Sequence, residues 1–283
     1  MTMNLSGRTI AITGASSGIG RATAFACANA GMNVIVAARR EDELKSVVDS
    51  IRSTGGRAAY VVMDVSNPHD NARLIEAALD HFGSIYSVFA NAGYGIERPV
   101  LTYTQAELDD IFRVNFWASL ELSRLAAERF LKQEPVNGGK RGHILVCSSC
   151  VSKIGLPNYA AYSATKALQD HFARAMRVEL ADKGVAVSSV HPIGTKTEFF
   201  DTAKRLSGGK RISIQTPERF KQPAETVANA VVRCLRKPRG EVWTSFSMRA
   251  MLALGTLAPS FADWMLLRRH RQVTARGLEE GRA

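Results

Sequence analysis

Four cysteines in 283 residues are too few and too irregularly placed for a disulfide scaffold, and they suit a reducing compartment. The one suggestive spacing, Cys147-Ser148-Ser149-Cys150, lies at the end of an apolar run. On a strand its two thiols point to opposite faces about 10 Å apart, beyond disulfide reach, and a tetrahedral zinc needs more ligands. No metal is therefore expected. Long apolar runs are also scarce: the longest uncharged stretch late in the chain, Ala250 to Ala262, contains Pro259 and falls short of the ~20 residues that cross a bilayer. The start lacks a basic n-region and a cleavage-type segment, so cytoplasmic residence is expected. Without an internal repeat, a low-complexity tract or a linker, residues 1–283 read as a single domain.

What is present is globular in balance, 46% hydrophobic and 22% charged. Apolar runs at 8–13, Asn33–Ala38, Arg57–Met63, Ile85–Ala90, His143–Ser148, Val185–Val190 and Glu241–Ser245 have strand character. Between them stand helical stretches, including Glu41–Thr54, Pro68–Phe82, Gln105–Lys132, Tyr159–Lys183 and Pro223–Arg236. Such alternation predicts an α/β fold: a doubly wound, Rossmann-like parallel sheet of about seven strands with helices on both faces.

The first strand runs into Gly14-Ala15-Ser16-Ser17-Gly18-Ile19-Gly20 and then a helix. Glycines let backbone approach a pyrophosphate, and the first N–H groups of a helix with its dipole attract the charge. The spacing is neither Gly-x-Gly-x-x-Gly nor a P-loop, since no Lys-Ser or Lys-Thr follows. At the end of the second strand alanine precedes Arg39 and Arg40. An acid there would hold the ribose 2′-hydroxyl of NAD, whereas arginine neutralises the extra phosphate of NADP, so NADP(H) is expected. Further along, Tyr162 and Lys166 are four residues apart, which puts phenol and ammonium on one helix face, and Ser149 lies thirteen residues before the tyrosine. A neighbouring cation favours the ionised phenol, so the pair reads as an acid/base site.

Taken together, Thr13 to Gly20, Asp64-Val65, Asn91-Ala92-Gly93, Asn115, Ser149, Tyr162 with Lys166, and Pro192 to Thr197 resemble the short-chain dehydrogenase/reductase family in order and spacing. The resemblance implies an oxidoreductase that moves a hydride between a nicotinamide and a carbonyl or secondary alcohol. It implies Tyr162 as proton donor, Ser149 as hydrogen-bond donor to the same oxygen, Lys166 on the nicotinamide ribose, and Asn115 holding a water that links the lysine to solvent. Cofactor contacts are implied at Gly14, Ser16, Ser17, Gly18, Ile19, Gly20, Arg39, Asp64, Val65, Asn91, Ala92, Gly93, Tyr162, Lys166, Pro192, Thr195 and Thr197. Asp64 would meet the adenine amino group, with ordinary turn chemistry as the alternative for it, Val65 and Asn91. The family's Pro-Gly after the sixth strand is replaced here by Pro192-Ile193-Gly194. A homodimer or homotetramer through the helices at Gln105–Lys132 and Tyr159–Lys183 is also implied.

Of the net +11, residues 193–221 carry +4 and residues 235–283 carry +5. The first segment lies in the expected substrate-covering loop, 193–222, where Lys204, Arg205, Lys210 and Arg211 read first as a solvated lid and second as an attractor of an anionic substrate or carrier. The second, part of a C-terminal apolar and basic helical extension at 247–283, joins Phe261, Trp264, Met265, Leu266 and Leu267 to Arg268, Arg269 and Arg271. It suits a partner subunit first and an anionic membrane surface second. No nucleic-acid reader motif accompanies the charge. Two other functions compete with catalysis: an NADP(H)-sensing binding protein without turnover, and a peripheral membrane protein working through its basic C-terminus.

Overall fold

The computed structural model describes residues 2–136, 139–209, 214 and 216–279. In its first half β1 (Thr9–Thr13), α1 (Gly18–Asn29), β2 (Asn33–Ala38), α2 (Glu41–Ser53), β3 (Arg57–Val62) and α3 (Pro68–Phe82) alternate regularly. Then follow β4 (Ser87–Ala90), α4 (Gln105–Phe112), α5 (Ala118–Leu131), β5 (Gly142–Cys147) and α6 (Ala160–Glu179). The chain continues through β6 (Val185–His191), α7 (Phe199–Leu206), α8 (Ala224–Arg236), β7 (Glu241–Trp243), α9 (Phe246–Leu257) and α10 (Pro259–Glu279). The local chemistry explains the boundaries. Asn67 accepts from the His69 N–H ahead of Pro68 at the start of α3, and Gly83, at φ 72°, ends that helix in the left-handed region.

All seven strands are parallel, in the order β3-β2-β1-β4-β5-β6-β7. Buried on both faces, β1, β2, β4 and β5 are almost unbroken apolar runs. Alternate residues divide between two cores. Ile10, Ile12, Val34 and Val36 meet α1, α2 and α8 through Cys27, Val47 and Val231. Ala11, Ile35, Val88 and Ile144 meet α3, α5 and α6 through Leu74, Leu122 and Ala173. Phe89 and Phe130 are fully buried, and truncating either to alanine should cost ~3–5 kcal/mol. The order reverses between β1 and β4, which opens a crevice at the carboxyl ends of those strands.

One expected helix is not continuous. Gln105–Lys132 divides into α4, a π-helical turn at Arg113–Trp117 and α5. The expected helix Tyr159–Lys183 likewise ends as α6, with a short 3-10 turn at Ala181–Lys183. Among the described residues no single helix is long and apolar enough to cross a membrane. Within 193–222, α7 and a parallel bridge between Thr195 and Gln222 give the segment its shape. Lys210 and Arg211, and residues 280–283 of the C-terminal extension, lie outside the described residues.

Candidate active site

The crevice is built where β1 and β4 end. Thr13 Oγ1 accepts from the N–H groups of Asn91 and Ala92, while Asn91 Nδ2 donates to the Thr13 and Gly14 carbonyls at 3.0 and 3.3 Å. This clamp forces the glycine turn close. A Cβ on Gly20 would stand 2.3 Å from the Gly14 carbonyl oxygen and 2.7 Å from Asn91 Nδ2, so only hydrogen fits. Ser17, the N-cap of α1, makes no capping bond with its side chain, which leaves the first helical N–H groups to an incoming acceptor. Thr197 lies against the turn, its methyl 3.0 Å from where a Gly18 Cβ would be. Ile19 is half-buried beside the core.

At the end of β2, Arg39 is 80% exposed, with its guanidinium 3.9 Å from Asp64. Arg40, the less emphasised of the pair in the sequence, reaches further in: it donates to Ser16 Oγ at 3.2 Å and pairs with Glu198 at 3.0 Å. Asp64 accepts from the N–H and hydroxyl of Ser66. Partial burial raises its pKa, but these bonds and the nearby Arg39 prevail and hold the carboxyl below the usual value. Thus its Oδ1 does perform turn chemistry, while Val65 packs on the lower core and gives its carbonyl to Asn71.

The second cluster is set by β5, α6 and the π turn. Ser149, just past β5, accepts from the Val151 N–H and stands beside the Tyr162 phenol, whose pKa it acts to lower. Ser148 fixes the strand to α6 by donating to the Lys166 carbonyl. Lys166 is buried and donates to the Cys147 carbonyl at 2.8 Å and to Gln169 Oε1 at 2.9 Å, with Nζ 5.6 Å from the Tyr162 ring centre. Burial lowers the lysine pKa to about 8 and raises that of Tyr162, which the Ser149 hydrogen bond opposes. Proximity to the ammonium therefore does not by itself bring the phenol down in this arrangement. Gly93 packs where a Cβ would be 3.0 Å from Asn115 Oδ1 and 3.5 Å from Lys166 Nζ, which joins the two clusters.

Asn115 sits in the π turn with its side chain fully engaged: it donates to the Tyr94 carbonyl and Thr165 Oγ1 and accepts from the Tyr94 N–H. Its carbonyl accepts from Gln169 Nε2 at 2.6 Å. The link from Asn115 to Lys166 thus runs through Gln169, a residue the sequence reading passed over. After β6, Pro192 accepts from the Cys150 N–H, and Thr195 binds the Ile193 carbonyl and Gln222. Ile193 itself is half-buried. Tyr162 is walled by Tyr159 and Phe199, with ring centres at 4.8 and 5.3 Å, and Ile96, Ile111 and Leu156 belong to the same apolar cluster.

Residues 8–206 match the description "short chain dehydrogenase". The chain belongs to the short-chain dehydrogenase/reductase family. Similar proteins include the ketoacyl reductase HetN of Nostoc sp., 31% identical over 92% of this chain and 88% of the relative. Versicolorin reductase stcU of Emericella nidulans is 35% identical over 71% of this chain and 74% of its own length. Among solved structures, a short-chain dehydrogenase/reductase from Burkholderia phymatum in complex with NAD superposes with a TM-score of 0.80 at 25% identity, covering 92% of this chain and 96% of its own.

This short-chain dehydrogenase/reductase is accordingly an oxidoreductase of C=O and CH–OH groups with a nucleotide-binding Rossmann-like sheet. Its sequence carried the signals for the glycine turn, Ser149, Tyr162 and Lys166, and the structure brings the last three together. Tyr159 and Gln169 gave no signal that separates them from ordinary helix and loop residues, and Arg40 stood out only as the neighbour of Arg39. His191 lies stacked on Trp243 at 4.4 Å in a buried network with Asp170, Ser189 and the Ser149 carbonyl.

Proposed function

We propose that the chain is an NADP(H)-dependent carbonyl reductase or alcohol dehydrogenase in which Tyr162 moves the proton. The observation that carries this reading is the convergence of Ser149, the Tyr162 phenol and buried Lys166, its Nζ 5.6 Å from the phenol ring centre, at the carboxyl end of the sheet. The residues fit a dinucleotide: the Gly14–Gly20 turn admits no side chain at Gly20, and the first turn of α1 offers N–H donors to a pyrophosphate. When bound, the nicotinamide supplies or accepts the hydride. Ser16, Ser17, Gly18 and Ile19 would hold the pyrophosphate side, Asn91, Ala92 and Gly93 the adenosine ribose, and Lys166, Pro192, Thr195 and Thr197 the nicotinamide half.

Tyr162 donates its proton to the substrate oxygen as negative charge grows there, and Ser149 hydrogen-bonds the same oxygen, so both act mainly in the transition state. In the reverse direction tyrosinate takes the alcohol proton. Lys166, tied to Asn115 through Gln169, is held where it can orient the ribose. The choice of NADP(H) rests on Ala38, where an acid would serve NAD, together with Arg39 and Arg40 beside Ser16.

An apolar substrate is favoured, because the surroundings of Tyr162 are aromatic and aliphatic. A second copy of the chain would pack on the α5 and α6 face, where Trp117, Phe172 and Val178 are exposed. Testing a panel of ketones and 3-oxoacyl thioesters for NADPH oxidation decides the reading. Turnover with an apolar ketone supports it, and tight NADPH binding without turnover on any carbonyl would instead favour a sensor.

A further inference from the structure

The C-terminal helices expose a second apolar surface, different in kind from that on α5 and α6. Ser245 caps α9 by accepting from the Met248 N–H, and α9 buries only Leu252. At Ala258 the chain turns through 115° into α10. On α10 the half-buried positions are Ala262, Leu266, His270 and Val273, an inner stripe at i, i+4, i+8 and i+11. The other side carries Phe261, Trp264 and Met265 at i, i+3 and i+4, all exposed, and on α9 Leu254 and Leu257 are also exposed, at 65% and 81%. Phe261 and Trp264 stack with ring centres 5.8 Å apart, and the Arg268 guanidinium lies 5.8 Å from the Trp264 ring.

Charge decides what covers this surface. Between residues 246 and 274 the chain has Arg268, Arg269 and Arg271, with Arg249 paired to Glu241 at 3.7 Å, against Asp263 alone. A twofold contact between copies places the same patch on itself, which here would bring arginines against arginines. The α5 and α6 face, in contrast, has both signs, including the Arg124–Glu128 pair, and suits a second copy. Anionic headgroups neutralise a one-signed basic rim. Aromatic rings settle at headgroup level, apolar side chains enter the acyl boundary, and arginines reach the phosphates. Neither helix alone is long and apolar enough to span; Phe246–Leu257 and Pro259–Thr274 reach that length and composition only as a pair broken by the 115° bend.

We infer that α9 and α10 together form a bent interfacial anchor that lies flat on an anionic phospholipid surface. Because α9 packs on the turn Cys150–Lys153 that follows Ser149, the anchor holds the candidate active site at the bilayer, within reach of lipid-dissolved carbonyl compounds. That last consequence rests on the carbonyl-reductase reading; membrane binding does not.

Flotation of the full chain with vesicles of phosphatidylcholine alone, and of phosphatidylcholine mixed with phosphatidylglycerol, tests the inference without reference to turnover. The wild type should float with the anionic vesicles and release at high salt. Arg268→Gln/Arg269→Gln/Arg271→Gln should lower partitioning on the order of 100-fold. Phe261→Ser/Trp264→Ser should lower it by at least roughly tenfold. Phe172→Ser, on the other face, should float as the wild type does. Circular dichroism checks each fold, and should the double serine variant misfold, the arginine variant, altered only at exposed positions, decides. A wild type that stays at the bottom with anionic vesicles, or an arginine variant that floats unchanged, overturns the anchor. So does sedimentation velocity showing a dimer that Trp264→Ser alone dissolves, since that gives the surface to a second copy.

Discussion

Two aromatic–cation pairs at the same helical spacing, Tyr162 with Lys166 and Trp264 with Arg268, have nearly the same separation, 5.6 and 5.8 Å from cation to ring centre. They differ in burial. Tyr162 and Lys166 lie inside, where desolvation brings the lysine to about 8 and pushes the phenol up. The indole is 54% exposed, and the guanidinium beside it is exposed as well. On the readings proposed above, the same spacing serves proton chemistry where water is excluded and surface adhesion where it is not. Burial, supplied by the sheet end and α6, separates the two roles.

Substitutions at both sites can break or sharpen this contrast. Tyr162→Phe should retain NADPH binding in a fluorescence titration and lose turnover by ~10²–10⁴-fold, the usual span of general acid catalysis. Turnover close to wild type would remove the proton donor. Lys166 should also write itself into stability. Below pH 8 it is charged in both folded and unfolded chains, and the folded state bears the whole cost of burying the charge. Between about 8 and the usual 10.5 the folded chain releases a proton that the unfolded chain keeps, so stability rises with pH. Denaturant titrations at pH 7 and pH 10 should therefore show the wild type gaining up to about 3 kcal/mol relative to Lys166→Met. Parallel pH dependence of the two would mean that the ammonium is not desolvated.

Gly20→Ala pushes a methyl group into the Gly14 carbonyl, and should cost ~1–3 kcal/mol in thermal unfolding and abolish NADPH protection. Arg39→Ala/Arg40→Ala should weaken NADPH roughly 10- to 100-fold while leaving NADH nearly unchanged in the same titration. Equal losses for both cofactors would reject the phosphate clamp. The smallest effect belongs to the exposed pair: Trp264→Ala should change folding stability by no more than ~0.5 kcal/mol. A larger loss would show that the indole is packed in solution and that the contrast drawn above fails.

Strands and most helices were legible because their causes are local. The buried parallel strands are continuous apolar runs, and α3 has its Asn67 cap, Pro68 start and Gly83 stop written in order. The break in Gln105–Lys132 was not legible. The π turn depends on Asn115 being drawn into bonds with Tyr94 and Thr165, and those partners come from β4's end and α6. Gln169 escaped for the same reason: its position beside Lys166 is an ordinary helical one until the Asn115 carbonyl arrives from another element. Arg40 was visible but ranked behind Arg39, since only the fold brings Ser16 and Glu198 to it. Residue spacing along one helix is readable; convergence from three strand ends is not.

The most direct test of the account is a crystal structure of the chain with NADP⁺ and a ketone-mimicking inhibitor. The inhibitor oxygen should lie about 3 Å from both the Ser149 and Tyr162 hydroxyls, with the pyrophosphate on the Gly14–Gly20 turn. An oxygen bound away from both hydroxyls, or a pyrophosphate seated elsewhere than that turn, would contradict it.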